Sequence, residues 1–322
     1  MDRRKFYLEL GQRLEAEGTA RIATGIRGER TGRKRFLTAA EEPDRDEFAE
    51  KLAGRQRVVV CGGGHVSLAL EQVLKTLPLH LTVIDDRPEF ASKERFRLAD
   101  RVLCQDYRRA LREHDFGEEA YFVIVTRGHA SDDDCLSEIL RLPRAYVGMI
   151  GSRSKVAAAF EKLRREGWGD EVQKGIHAPI GLPIGGRTPG EIAVSIAAEL
   201  IQVRNQKGLA VFDPEVIGAL TEEADPCVMV TVMEKTGSSP GKKSSRMLVL
   251  PDGSTRGTIG GGSVEYTAAK EAEKYLGQDV CQVRDVCQVR DYDLTDAPDT
   301  GLGMVCGGKI RVLFETLEPA AV

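Results

Sequence analysis

From Arg57 to about Gly208 the chain alternates short apolar runs with amphipathic stretches, which is the pattern of parallel strands joined by helical crossovers. Strands are expected at Val58–Cys61, Leu79–Ile84, Arg101–Leu103, Tyr121–Val125 and Ala145–Ile150. Helices are expected at Val66–Thr76, near Tyr107–His114, and at Asp132–Leu140, Arg153–Glu166 and Pro189–Gln206. The last helix has a sharp start, because Thr188-Pro189-Gly190-Glu191 reads as a capping box with proline at the first helical position. The fold class that follows is α/β, a doubly wound parallel sheet over residues 54–208.

On either side the pattern changes. After Gly208 it becomes α+β: strands at Val228–Glu234, Arg246–Leu250 and Ser254–Ile259, a helix over Val264–Leu276, and a final strand at Lys309–Thr316. Residues 209–322 are therefore expected to form a second domain. Near the N-terminus, Phe6, Leu10 and Leu14 make one helical stripe, and Arg21 to Ala39 alternates in two short pieces around a basic stretch. This helix–strand–turn–strand order matches the opening of the second domain, so residues 1–53 read as a degenerate half-repeat that packs on it and pairs with its sheet. The acidic segment Glu41–Glu50, which contains Pro43, reads as a linker. The hexapeptide VCQVRD occurs twice, at 280–285 and 286–291, and a shift of six keeps side-chain facing in an edge strand.

Composition narrows the function classes. The net charge is −4 over 322 residues with both signs interspersed, which gives no reason to expect nucleic acid or a membrane as partner. No apolar run is long enough to span a bilayer, and the charged start lacks the apolar region of a signal peptide, so a cytoplasmic protein is expected. Seven cysteines without a C-x-x-C pair suit reduced thiols.

The candidate chemistry sits where strands end. Val58–Cys61 runs into Gly62, Gly63, Gly64 and His65 and then into a helical pattern, and about twenty residues on a second strand ends in Asp85 and Asp86. A dinucleotide fold places a phosphate on such a glycine turn and a ribose on such a carboxylate. Gly151, Ser152 and Arg153 at another helix start suit an anion, and Gly260, Gly261 and Gly262 form a second phosphate-sized turn. The three aspartates Asp132–Asp134 read more simply as helix-capping or surface charges.

Several of these segments together resemble one family. Cys-Gly-Gly-Gly-His-Val-Ser from Cys61, Val-Ile-Asp-Asp-Arg-Pro-Glu-Phe from Val83, Tyr-Val-Gly-Met-Ile-Gly-Ser-Arg-Ser-Lys from Tyr146 and His-Ala-Pro-Ile-Gly-Leu-Pro-Ile-Gly from His177 look like the Rossmann-type domain of xanthine dehydrogenase accessory proteins, the XdhC/CoxI family. Gly237-Ser-Ser-Pro, Gly257-Thr-Ile-Gly-Gly-Gly-Ser-Val-Glu and Cys306-Gly-Gly resemble its other domain, here placed second instead of first. The resemblance implies a maturation factor without turnover of its own. Such a factor binds the molybdenum cofactor transiently, supports its sulfuration by a cysteine desulfurase and helps insert it into a molybdenum hydroxylase client; a homodimer is expected. It also makes Cys306 the thiol that would face the molybdenum, since a thiolate is a soft ligand. The competing reading is an NAD(P)-dependent oxidoreductase that uses the glycine turn for its cofactor.

Overall fold

The computed structural model of the chain describes residues 2–206, 209–237, 242–276, 286–294 and 308–319. It divides into two compact units, residues 55–208 and residues 1–54 with 209–322.

The unit formed by residues 55–208 is a six-stranded parallel sheet. Its strands are β4 (Gln56–Cys61), β5 (Leu79–Asp85), β6 (Arg101–Cys104), β7 (Tyr121–Ile124), β8 (Tyr146–Met149) and β9 (Ile176–His177), lying in the order β6-β5-β4-β7-β8-β9. Numbered from β4, that order is 3-2-1-4-5-6, the dinucleotide-binding arrangement, and its direction reverses between the neighbours β4 and β7. Residues alternate between two apolar layers. Val58, Val60, Tyr121, Val123 and Tyr146 meet α2 (His65–Leu74) and α7 (Pro189–Gln206), while Val59, Cys61, Phe122, Ile124 and Val147 meet α3 (Tyr107–Glu113), α4 (His129–Ile139) and α5 (Arg153–Arg165). Both faces of the central strands are covered, which is why their inner positions are mostly apolar. The sixth strand, β9, and the short helix α6 (Asp170–Lys174) before it carry no periodic signal that sequence reading could use.

The other unit contains two antiparallel-based sheets. The first holds β1 (Thr19–Gly25), β2 (Lys34–Leu37), β3 (Glu47–Ala53) and β10 (Ala210–Val211) in the order β10-β3-β1-β2. The second holds β11 (Cys227–Gly237), β12 (Arg246–Val249), β13 (Thr255–Gly257), β14 (Cys287–Asp293) and β15 (Gly308–Leu317) in the order β13-β12-β11-β15-β14. Helix α9 (Gly262–Leu276) packs Val264, Ala268 and Ala272 on Val228, Val230 and Val312 of the larger sheet. On its other face Met229 and Leu248 share a core with Phe6, Leu10 and Leu14 of α1 (Arg3–Glu17), Ile22 and Leu52 of the smaller sheet, and Val216 of α8 (Pro214–Glu222).

Two expectations need correcting here. The segment read as a linker, 41–50, runs into β3, in which Phe48, Glu50 and Leu52 all point inward; the inward acid hid the alternation. The N-terminal strands pair with each other, β3 and β10, and among the described residues none of their partners belongs to the five-stranded sheet. The N-terminal helix is anchored by Arg4, which is buried and donates to the carbonyls of Glu318, Leu220, Glu223 and Asp225. The second VCQVRD copy supplies most of edge strand β14, paired with β15, and the first copy lies outside the described residues.

Between the two sheets of this unit lie charges sealed from solvent. Lys34 Nζ pairs with Glu315 at 3.0 Å and also donates to Thr24 Oγ1. Tyr7 donates to Glu315 at 2.6 Å, and Arg246 pairs with Glu50 at 2.6 Å. Burial, reinforced by Glu315, pushes the Tyr7 hydroxyl up to about 12. Burial would push Lys34 down, but the Glu315 charge outweighs it and the ammonium is held charged. Glu50 Oε1, Thr231 Oγ1 and Glu315 Oε1 make no hydrogen bond among the described residues.

Candidate functional site

At the C-terminal edge of the parallel sheet, where β4 and β7 diverge, a cleft of about 250 Å³ opens. Gly62, Gly64, His65 and Val66 form one wall, Val125, Thr126 and Arg127 another, and Arg87 and Ile150 complete it. The cleft thus lies at the topological switch point, where open α/β sheets bind their ligands.

The three glycines of the first turn stand in different situations. Gly62 has φ +112°, a left-handed conformation that side chains avoid, and a Cβ there would lie 2.5 Å from the Val125 carbonyl oxygen. A Cβ on Gly63 would lie 2.1 Å from the carbonyl oxygen of Phe90. Gly64 has φ −73°, which any residue adopts, and a Cβ there would meet nothing within 4 Å. The chain itself does not require glycine at position 64. Ser67, at the third fingerprint position, is buried and turns its hydroxyl back onto the Gly62 carbonyl.

The helices at the cleft differ from α3, α5 and α7, although the short α6 also starts on an uncapped glycine, Gly169. Gly64 and Gly128 are the N-caps of α2 and α4, and neither offers a side chain to the first turn. By contrast Asp106 caps α3, Ser152 caps α5 through Lys155 N, and Thr188 and Glu191 form the expected capping box on α7. An uncapped first turn presents N–H groups and the positive end of the helix dipole. Two such turns flank the switch point, with Arg127 beside them.

The other candidate residues are placed unevenly. Asp85 is fully buried, and its carboxylate is already engaged: Arg87 Nε and Nη2 donate to it at 2.8 and 2.9 Å, and Gly63 N at 2.7 Å. Burial pushes Asp85 up, but the Arg87 and Gly63 donors outweigh it and hold it below the usual carboxylate range. Asp86 is exposed, 3.8 Å from the Arg87 guanidinium. Ser152 and Arg153 are exposed on the first turn of α5, and neither lines the cleft, nor does Gly151.

Gly260, Gly261 and Gly262 all have positive φ, so the backbone path alone demands glycine. Their turn is filled from within: Glu265 Oε2 accepts from Ile259 N and Gly261 N, each at 3.0 Å, and Thr258 Oγ1 also donates to it. A carboxylate of the chain takes the place expected for a phosphate. The aspartates after β7 are likewise engaged, Asp132 with Lys155 and Thr126, Asp133 with Lys162 and Asp134 with Arg108. Cys306 lies outside the described residues. Among the described residues no group of three or more His, Cys, Asp or Glu side chains could hold a metal ion, and no helix is long and apolar enough to cross a membrane.

The family model for the XdhC Rossmann domain matches residues 58–200, and the model for the XdhC and CoxI family matches residues 220–286. The chain belongs to the XdhC/CoxI family. It is 33% identical over 152 residues to the uncharacterized protein YqeB of Escherichia coli (strain K12), covering 47% of this chain and 28% of that one. It is 24% identical over 159 residues to a probable xanthine dehydrogenase subunit from Bacillus subtilis (strain 168), covering 49% and 46%. A crystal structure of a xanthine dehydrogenase from Bacillus halodurans superposes with a TM-score of 0.50 at 21% identity, over 61% of this chain and 62% of that one, which shows a shared fold. The chain thus spans less than half the length of the two curated relatives.

Proposed function

We propose that this family member is a maturation factor for a xanthine dehydrogenase-type molybdenum hydroxylase, and that it holds the molybdenum cofactor at the switch-point cleft. The observation that carries the reading is Gly64. Its backbone conformation is ordinary and its Cβ position is open, so the residue that fits there best is decided by what enters the cleft. A phosphate seated on the uncapped turns of α2 and α4 would need that space, and it would be met by N–H groups and two helix dipoles. When bound, the cofactor supplies the metal–dithiolene centre used later by the client. The role of this chain is to grip the phosphate end through the turn at Gly62–Gly64 and the start of α4, with Arg127 adding positive charge.

The engaged state of Asp85 favours this ligand over a nicotinamide dinucleotide. A dinucleotide fold uses that carboxylate for ribose hydroxyls, whereas here Arg87 and Gly63 already take its lone pairs. The client hydroxylase and a cysteine desulfurase are the proposed partners, and Cys306 is the thiol assigned to the molybdenum end. Mass spectrometry of small molecules released from the full chain, purified from cells that make the cofactor, tests the proposal. A phosphorylated pterin is the expected product. NAD(P) as the released molecule would contradict it and support the oxidoreductase reading.

A further inference from the structure

A second group of polar side chains lies in the same sheet, on the edge strand β9, and the cleft does not use it. Glu199 of α7 is turned inward on a mostly aliphatic helix face that holds Ala193, Ile196, Ala197 and Leu200 together with Ser195. An acid among aliphatic side chains is costly unless its oxygens are satisfied. Here they are: Tyr146 Oη donates to Oε2 at 2.5 Å, Gly181 N donates to the same oxygen at 2.9 Å, and His177 Nδ1 lies 3.1 Å from Oε1. Burial pushes the Glu199 carboxyl up, but the His177, Tyr146 and Gly181 donors outweigh it and hold it below its ordinary range, so it is a carboxylate at neutral pH.

A carboxylate accepts hydrogen bonds and does not donate them, so Nδ1 of His177 must carry the proton of this contact. The ring is also packed against Tyr146, with centroids 4.6 Å apart. Both its tautomer and its orientation are therefore fixed, and in the neutral ring Nε2 is left as an acceptor. The His177 side chain is 35% exposed, and Nε2 has no hydrogen-bond partner among the described residues. A buried carboxylate that orients an imidazole by one nitrogen while the other faces outward is the arrangement used to present a histidine to a ligand. No further metal donors are grouped with it among the described residues, and as an acceptor Nε2 can take a hydrogen bond from an organic ligand.

The position of the dyad gives the ligand its shape. His177 ends β9 and is in register with Gly148 of β8, two residues before Ile150 at the cleft wall. β4 and β9 are three strand spacings apart, about 14 Å. We propose that His177, positioned by Glu199, is a second contact point for the ligand of this sheet, taking a hydrogen bond on Nε2 from a ring N–H or hydroxyl of a heterocycle whose phosphate sits at Gly64. The proposal rests on the anion reading of the cleft and extends it to the opposite end of the ligand.

The test uses the full chain and two probes: inorganic phosphate, which can fill only the anion end, and the molybdenum cofactor released from a purified molybdenum hydroxylase. His177→Ala should leave phosphate affinity unchanged and weaken the cofactor by about tenfold. In wild-type protein labelled with ¹⁵N-histidine, the Nε2 resonance of His177 should move on adding the cofactor and stay in place on adding phosphate. Glu199→Gln, in which Tyr146 and Gly181 hold the amide oxygen and an NH2 donor faces Nδ1, should alter the tautomer signal before any ligand is added. If wild-type protein binds the cofactor, but His177→Ala binds it equally well or the Nε2 resonance does not move, the dyad proposal fails while the cleft reading stands. If wild-type protein binds neither probe, the cleft reading fails and the dyad proposal falls with it.

Discussion

Lys34, Glu50, Arg246 and Glu315 lie sealed between two sheets in one unit, whereas the other unit packs a mostly apolar parallel sheet, with Glu199 as an inward exception, and gathers most of its polar groups where the strands end. The contrast follows from topology. Parallel strands buried on both faces leave no inward position for a charge, so polar side chains collect at the strand ends and helix starts. Where two antiparallel-based sheets face one another, inward positions can carry opposite charges that meet across the seam. The charges of the seam are spent on one another, as are the N–H groups of the Gly260–Gly262 turn on Glu265. At the switch point, the first turns of α2 and α4 lack side-chain caps, and Gly64 keeps a space clear. The parallel-sheet unit also has engaged carboxylates, Asp85, Asp132 and Glu199 among them, so what marks the site is the polarity left open at the uncapped turns and not polarity as such.

The largest effect should come from breaking the seam. Arg246→Met alone leaves Glu50 buried without its partner and should cost about 3–5 kcal/mol. Combined with Glu50→Leu it should recover most of that loss, because two apolar groups replace two charges. Urea unfolding of the single and double variants measures this. Equal losses in both would mean that the cost does not come from the unpaired Glu50 charge.

A charge at the rim of the parallel sheet should matter less and should depend on pH. Burial pushes Asp100 up, but Leu81 N, Lys75 and Arg55 outweigh it and hold the carboxyl at about 2, below its ordinary 3.8. A depressed folded-state value stabilises above the unfolded value and is lost as pH falls through the folded one. Asp100→Asn should therefore cost about 2 kcal/mol at pH 7. The difference from wild type should shrink between about pH 4 and pH 2. Chemical denaturation across that range checks it, and a pH-independent difference would contradict the assignment.

Much of this contrast is legible in the sequence. Five of the six parallel strands, their crossover helices and the glycine turn stand out because burial on both faces makes the strands mostly apolar. β9 does not, because two residues, Ile176 and His177, have no period. β3 is hidden because Glu50 points inward, against the rule that acids face water. The site is harder to read than the fold. Sequence spacing brings Asp85 to the right place but cannot show that Arg87, two residues later, closes on it, nor that Glu265 reaches back into the triple-glycine turn. His177 stands in a motif without a role, since its partner Glu199 lies on a distant helix whose apolar pattern draws attention away from the acid.

Gly64→Val tests the central claim most directly, with the smallest expected effect on the fold. Valine adopts the Gly64 backbone conformation and its Cβ meets no neighbour, so apart from the small cost of valine at the N-cap the melting transition should shift little. Binding of the molybdenum cofactor to the full-length variant should nevertheless fall by about tenfold or more, because the added side chain occupies the space beside the uncapped turns. Undiminished binding by a folded Gly64→Val protein would contradict the account.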